Sequence, residues 1–284
     1  MKHILTSVTT AVLGLASPLL ADPVNWTAGS FDMPESAIFD ATHDRIIVSV
    51  MVGHPGDADG NGHLALLSPD GEILQREWIT GLDAPKGMAI VGTTLLVADL
   101  TRLHEIDLEA GTLIRSLDVP GAVFLNDITS DGEQVYVSDL MGNQIWQYQE
   151  GDMSIWLEDA NLAHPNGLLL EETRLVVGSW GQGMRDDFST EEPGALLSVD
   201  LETKAISTIV PHLGNLDGVV RIGDMLLVND WITGQLFEVD TDGSTTLSAE
   251  YSAGLADIAA YDNTLLLPAM LEGSISARTY PWAE

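Results

Sequence analysis

Glu35, Lys86, Asn126, Asn166, Asp217 and Asp257 occupy one repeated position along this 284-residue chain, at intervals of 51, 40, 40, 51 and 40 residues. Each stands just ahead of a short apolar run, in Pro-Glu-Ser-Ala, Pro-Lys-Gly-Met, Leu-Asn-Asp-Ile, Pro-Asn-Gly-Leu, Leu-Asp-Gly-Val and Ala-Asp-Ile-Ala. Together they offer carboxylate and amide oxygens and one ammonium, with no sulfur or imidazole. If Glu35, Asn126, Asn166 and Asp217 converge, they form a hard oxygen set that suits Ca²⁺ first, Mg²⁺ or Mn²⁺ next, and Zn²⁺ less well. Three carboxylates against Lys86 leave the set with a formal charge of −2, which a divalent cation would neutralise. A water-filled tunnel lined by the same six side chains accounts for the spacing without a metal, and chemistry alone leaves both readings open.

The elements that must position such a ring read as strands. Short Val-, Ile-, Leu- and Tyr-rich runs alternate with Asp-Gly, Gly-Asn and Gly-Thr turns, and no long helical periodicity intervenes. Four strands in each repeat of about 40–50 residues predict an all-β, six-bladed β-propeller of four-stranded antiparallel blades. In the third repeat the strands fall near 127–129, 134–138, 144–148 and 153–157; the second and fifth repeats follow the same plan. The sixth has three strands before the chain ends, and residues 24–28 are expected to supply its outer strand, closing the ring and removing a free sheet edge. The first and fourth repeats are longer, through Gly53–Gly62 and Gly181–Pro193. Both insertions fall between the second and third strands, at the end where the polar ring lies, so they should arch over it from opposite sides.

A second ring marks the ends of the second strands: Val50-Met51, Asp99-Leu100, Asp139-Leu140, Ser179-Trp180, Asp230-Trp231 and Ala269-Met270. The aspartates suit caps for backbone N–H groups of the next turn. Trp180 and Trp231 can wall a binding pocket or pack as core. His54 lies on the first long insertion, where it can contact substrate, and His164 lies just before Asn166; no histidine pair has zinc-like spacing. Asp57-Ala-Asp-Gly-Asn-Gly imitates the first half of an EF-hand loop, but Ser68 stands where the closing glutamate belongs, so a polar turn is expected. Gly-Ser-Trp-Gly at 178–181 lacks the pattern of a serine-hydrolase elbow.

Residues 1–21 read as a secretory signal peptide, leaving 22–284 as a single propeller domain in the periplasm or outside the cell. No later segment has the uninterrupted apolar length to span a bilayer. The chain has no cysteine, which excludes disulfides, thiol nucleophiles and thiolate metal sites. With 11 Lys+Arg against 43 Asp+Glu, a formal charge of −32 repels phosphate backbones, so nucleic acid is not an expected partner. A small molecule is, and nothing in the sequence specifies an oligomeric state.

Along Pro34–Trp282 the chain resembles the senescence-marker-protein/gluconolactonase family, the regucalcin-like six-bladed propellers. The matching residues are Glu35 in Pro-Glu-Ser-Ala-Ile-Phe-Asp, Asn126 in Asn-Asp-Ile-Thr-Ser-Asp-Gly, Asn166 in Pro-Asn-Gly-Leu and Asp217 in Leu-Asp-Gly-Val. The resemblance implies that Glu35, Asn166 and Asp217 hold one divalent cation and that Asn126 contacts substrate or water beside it. It implies hydrolysis of a lactone or related small ester. For that chemistry Asp217, reaching both cation and water, is the candidate general base; Lys86, a cation where the family's ring is expected to carry an uncharged residue, is expected to pair with Asp257 or another ring carboxylate, or else to stabilise negative charge on the product. Sugar lactonases of the family carry arginine two residues before the asparagine of blade three. Phe124 stands there instead, which implies a more apolar substrate pocket. The rival expectation is a non-catalytic propeller that binds a small ligand or a protein partner through the same mouth.

Overall fold

The computed structural model describes residues 24–185 and 187–280; the expected signal segment lies outside them. Six antiparallel sheets follow one another along the chain, each ordered from an innermost strand A to an outermost strand D. The A strands are Met33–Asp40, Pro85–Val91, Leu125–Ser130, Pro165–Leu170, Leu216–Ile222 and Ala259–Tyr261. This is the six-bladed propeller expected from the repeat. The helical turns among the described residues are two of three residues each, Ala160–Leu162 and Met270–Glu272.

The ring closes as anticipated. Val24–Gly29 pairs antiparallel with Ser274–Thr279, giving blade six its fourth strand. The insertion in blade four is more ordered than a loop: Gly181–Gln182 pairs with Glu192–Pro193 and prolongs the hairpin toward the mouth.

Burial follows position within the blade. B strands such as Thr94–Asp99 and Val135–Asp139 lie inside their own sheet and between neighbouring sheets, and they are buried along nearly their whole length. That is why they read as continuous apolar runs rather than alternating ones. D strands such as Thr112–Asp118 face solvent. Six apolar clusters fill the seams between adjacent blades; Ala89, Leu96, Val137 and Trp146, for example, meet between blades two and three. Burying each large aliphatic side chain contributes about 1.5–3 kcal/mol. The core is therefore a ring of wedges, and the axis is left to polar groups.

Candidate functional site

Five A strands change register at the ring residue. Pairing with strand B shifts between Pro34 and Ser36, Pro85 and Met88, Leu125 and Ile128, Pro165 and Leu168, and Leu216 and Val219. A bulge inserts one residue and re-aims its side chain. In this chain the re-aimed residues are Glu35, Lys86, Asn126, Asn166 and Asp217, and all five line one cavity.

A bulge also leaves a backbone N–H without its ladder partner, which is costly when buried. Buried polar side chains of strand B replace the partner. Ser49 Oγ accepts from Ser36 N at 3.0 Å, Ser138 Oγ from Asp127 N at 2.9 Å, and Asn229 Oδ1 from Gly218 N at 2.9 Å. The aspartates ending the B strands hold the loops that lead into the ring. Asp99 accepts from Asp83 N and Ala84 N, each at 2.7 Å, and Asp139 accepts from Val123 N and Phe124 N, each at 2.9 Å. The cap of the following turn read from the sequence is made by Asp139, which also accepts from Gly142 N at 2.9 Å, and by Asp230, which accepts from Ile232 N at 2.9 Å, whereas the backbone donors to Asp99 come from the preceding loop.

Asp99 also bonds His104 Nε2 at 2.8 Å, and these bonds outweigh burial and hold its carboxyl below the ordinary range. A folded-state pKa below the unfolded value adds stability that is present above the unfolded value and lost as pH falls through the folded one. Urea unfolding of the wild type is expected to show this loss below about pH 4. Asp99→Ala should lower stability near pH 7 by about 3 kcal/mol and flatten that acid limb. An unchanged limb in the variant would rule the assignment out.

The cavity has a volume of about 160 Å³. Its polar floor is Glu35, Lys86, Asn126, Asn166 and Asp217; its walls are Met51, Phe124, Leu140, Trp180, Trp231 and Met270. Most of the wall is thus the second ring, the residues that follow the B strands. The Trp180 and Trp231 ring centroids are 6.0 Å apart. Pro55 from the first long insertion and Asp187 and Phe188 from the fourth-blade hairpin complete the lining, so both insertions reach over the ring. Trp180 Nε1 donates to Phe188 O at 2.8 Å, holding that tip down. His54 turns outward with its side chain 65% exposed and does not line the cavity; its neighbour Pro55 does.

Asp257 departs from the expected ring. Its carboxylate accepts from Ser36 Oγ at 2.6 Å and, with Asp127, faces a separate cavity toward the other end of the A strands. Asp127, which the spacing did not single out, accepts from Leu168 N at 2.6 Å and ties blade three to blade four. Lys86 makes no ion pair with Asp257 or any other carboxylate among the described residues. Its Nζ donates to Ala84 O at 2.8 Å and Pro55 O at 3.1 Å and lies 4.4 Å from the centroid of the Phe124 ring.

The floor is electrostatically strained. Burial, then the Asp217 and Asp257 charges, push the Glu35 carboxyl well above its ordinary range, and burial with Asp257 does the same to Asp217. Glu35 Oε2 is buried with no hydrogen-bond partner. Asn126 Nδ2 donates to Asn166 Oδ1, and Asn166 Nδ2 donates to Asp217 Oδ1 at 2.9 Å. No cluster of three or more His, Cys, Asp or Glu side chains placed to share a metal occurs among the described residues. The donors here are two carboxylates and an amide. An orphan carboxylate oxygen beside a second, repelled carboxylate fits a hard cation, provided the Asn166 amide turns its oxygen inward, an orientation interchangeable with the present one by a half-turn. The Lys86 ammonium opposes such an ion.

No family model matches the chain, and no curated protein matches it. Among solved structures, it is similar to virginiamycin B lyase from Staphylococcus aureus, at 12% identity and a TM-score of 0.63 over 90% of this chain and 99% of that one. A catalytically inactive His-to-Ala variant of that enzyme with quinupristin gives 14% identity and a TM-score of 0.58 over the same shares. A chain of the nidogen/laminin complex matches at 18% identity and a TM-score of 0.59, over 75% of this chain and 78% of that one. At such identities the likeness extends to the fold alone. The resemblance to the gluconolactonase family rests on the ring residues themselves.

Proposed function

We propose that this propeller is a divalent-cation-dependent hydrolase of a lactone or related small ester. The reading rests on one observation above others: Glu35 keeps a buried, unpartnered carboxylate oxygen, feels the charge of Asp217, and shares with Asp217 and Asn166 the floor of one apolar-walled cavity. Glu35, Asn166 and Asp217 would hold the cation, Ca²⁺ by the hardness of their oxygens. When bound, such an ion polarises an ester carbonyl and eases ionisation of nearby water.

The chain's own groups supply the rest. Asp217, whose carboxyl burial and the Asp257 charge raise above its ordinary range, is placed on the cavity floor to take a proton from water as general base. Asn126 orients substrate or water. In its ammonium form Lys86 has a third Nζ–H, unused by Ala84 and Pro55, that is available to a carboxylate product. Phe124, Trp180, Trp231 and Phe188 exclude water and select an apolar acyl or alkyl portion. The cavity supports catalysis over open-mouth binding: its aromatic walls are covered, with Phe124 and Trp180 each 6% exposed, and two insertions overhang it.

The comparison with virginiamycin B lyase favours a second reading, elimination, yet that enzyme loses activity without a particular histidine and no histidine lines this cavity. Protein purified without chelator should carry about one equivalent of divalent metal by elemental analysis, and a chelator should lower its Tm and abolish hydrolysis across a panel of apolar lactones. Metal-free protein that gains neither stability nor activity from Ca²⁺, Mg²⁺, Mn²⁺ or Zn²⁺ would overturn the proposal. Ligand-induced stabilisation without turnover would assign the mouth to a binding protein instead.

A further inference from the structure

The chain contains three lysines, Lys2, Lys86 and Lys204. Lys204 lies on a surface turn and donates to Trp156 O at 2.7 Å. Lys86 is 2% exposed, lines the axial cavity, and is ion-paired to nothing among the described residues. In a chain this poor in lysine and this rich in acid, a buried amine held by backbone carbonyls and not by ion-pair contact with a carboxylate is poorly explained as a structural charge.

We propose that Lys86 is a nucleophilic amine that condenses with a small apolar or aromatic aldehyde or ketone bound in the axial cavity. The two backbone acceptors around Nζ, Ala84 O and Pro55 O, match the two N–H donors of a neutral amine. Once those are satisfied, the nitrogen lone pair takes the remaining direction. The surrounding wall is apolar, with Phe124, Trp180 and Phe188 suited to a flat, uncharged carbonyl compound.

Burial pushes the Lys86 ammonium down to about 8, against the upward pull of Glu35 and Asp99, so a substantial neutral fraction exists near that pH. The Asp187 carboxylate also lines the cavity, and the Phe124 face favours the ammonium. Desolvation of this kind is what makes a lysine nucleophilic.

The step balances without an external oxidant or reductant. Nζ attacks the carbonyl carbon to give a carbinolamine. The carbonyl oxygen then leaves as water with the two hydrogens originally on the neutral amine, and the C=N bond of an imine remains.

The test uses the folded mature protein, benzaldehyde as probe and cyanoborohydride to reduce any imine to a stable benzylamine, with no lactone or added metal. Peptide mapping should place a benzyl group on Lys86 at least about tenfold faster than on Lys204, a difference that guanidinium unfolding abolishes. Lys86→Met should lose that label while Lys204→Met keeps it. Labelling of Lys86 no faster than Lys204 in the folded wild type would overturn the proposal, and this comparison stands even if Lys86→Met fails to fold. Because the assay contains neither ester nor cation, its failure leaves the hydrolase reading intact, and failure of the hydrolase assays leaves this one intact.

Discussion

Asp217→Asn is expected to lower kcat for lactone hydrolysis by roughly 10²–10⁴-fold while leaving the fold in place. The substitution keeps the size of the side chain and its acceptor for Asn166 Nδ2, now 2.9 Å from Asp217 Oδ1. It removes the proton acceptor. It also removes one of two carboxylates that would hold the cation, so cation affinity and turnover must be measured separately. Glu35→Gln provides the contrast. It touches the orphan oxygen and not the proposed base, so its loss should be recovered in part by raising the cation concentration, whereas Asp217→Asn at saturating cation should stay inactive. Equal rescue of both variants would remove the base assignment and leave Asp217 as a ligand only. Full activity in Asp217→Asn would remove both roles.

The ring could be read from the sequence because blade pitch is nearly constant, so the polar residue that opens each A strand returns at a fixed interval. The second ring was legible for the same reason, and Met51, Leu140, Trp180, Trp231 and Met270 all reach the cavity. What the pattern concealed is local and irregular. Phe188 adopts a left-handed backbone with φ of 63°, and neither it nor Pro55 belongs to any repeat. Lys86 takes backbone carbonyls as its partners in place of a ring carboxylate, and carbonyls exist at every residue and leave no mark in a sequence. Asp257 shares the ring's spacing and not its cavity, because the blade-six A strand begins only at Ala259 and the carboxylate is instead held by Ser36. Ser49, Ser138 and Asn229 are buried polar residues in otherwise apolar strands. Their purpose depends on bulges that only the strand pairing reveals.

Gly167→Ala should be the most damaging of the small substitutions, costing about 3 kcal/mol or more and abolishing cation binding. Gly167 follows Asn166, and its own backbone is not the reason for glycine. The reason is the neighbouring blade: a Cβ at 167 would overlap the carbonyl oxygen of Asp217. Backbone cannot yield as a flexible side chain can, so the A strands of blades four and five would have to separate. That separation would carry Asn166, whose amide now bonds Leu216 O and Asp217 Oδ1, away from Asp217 and so spread two of the three proposed ligands apart. Gly218 and Gly87 follow the same logic, since a Cβ at 218 would overlap Ile258 N and one at 87 would come within 2.6 Å of Asp127 Cα. Gly29→Ala is the control, because a Cβ there meets nothing closer than Ser274 Cβ at 4.0 Å. Denaturant unfolding and cation titration of the two variants should separate sharply. If Gly167→Ala matches Gly29→Ala in both, the close approach of the A strands does not position the site, and the spacing of the ring owes nothing to its glycines.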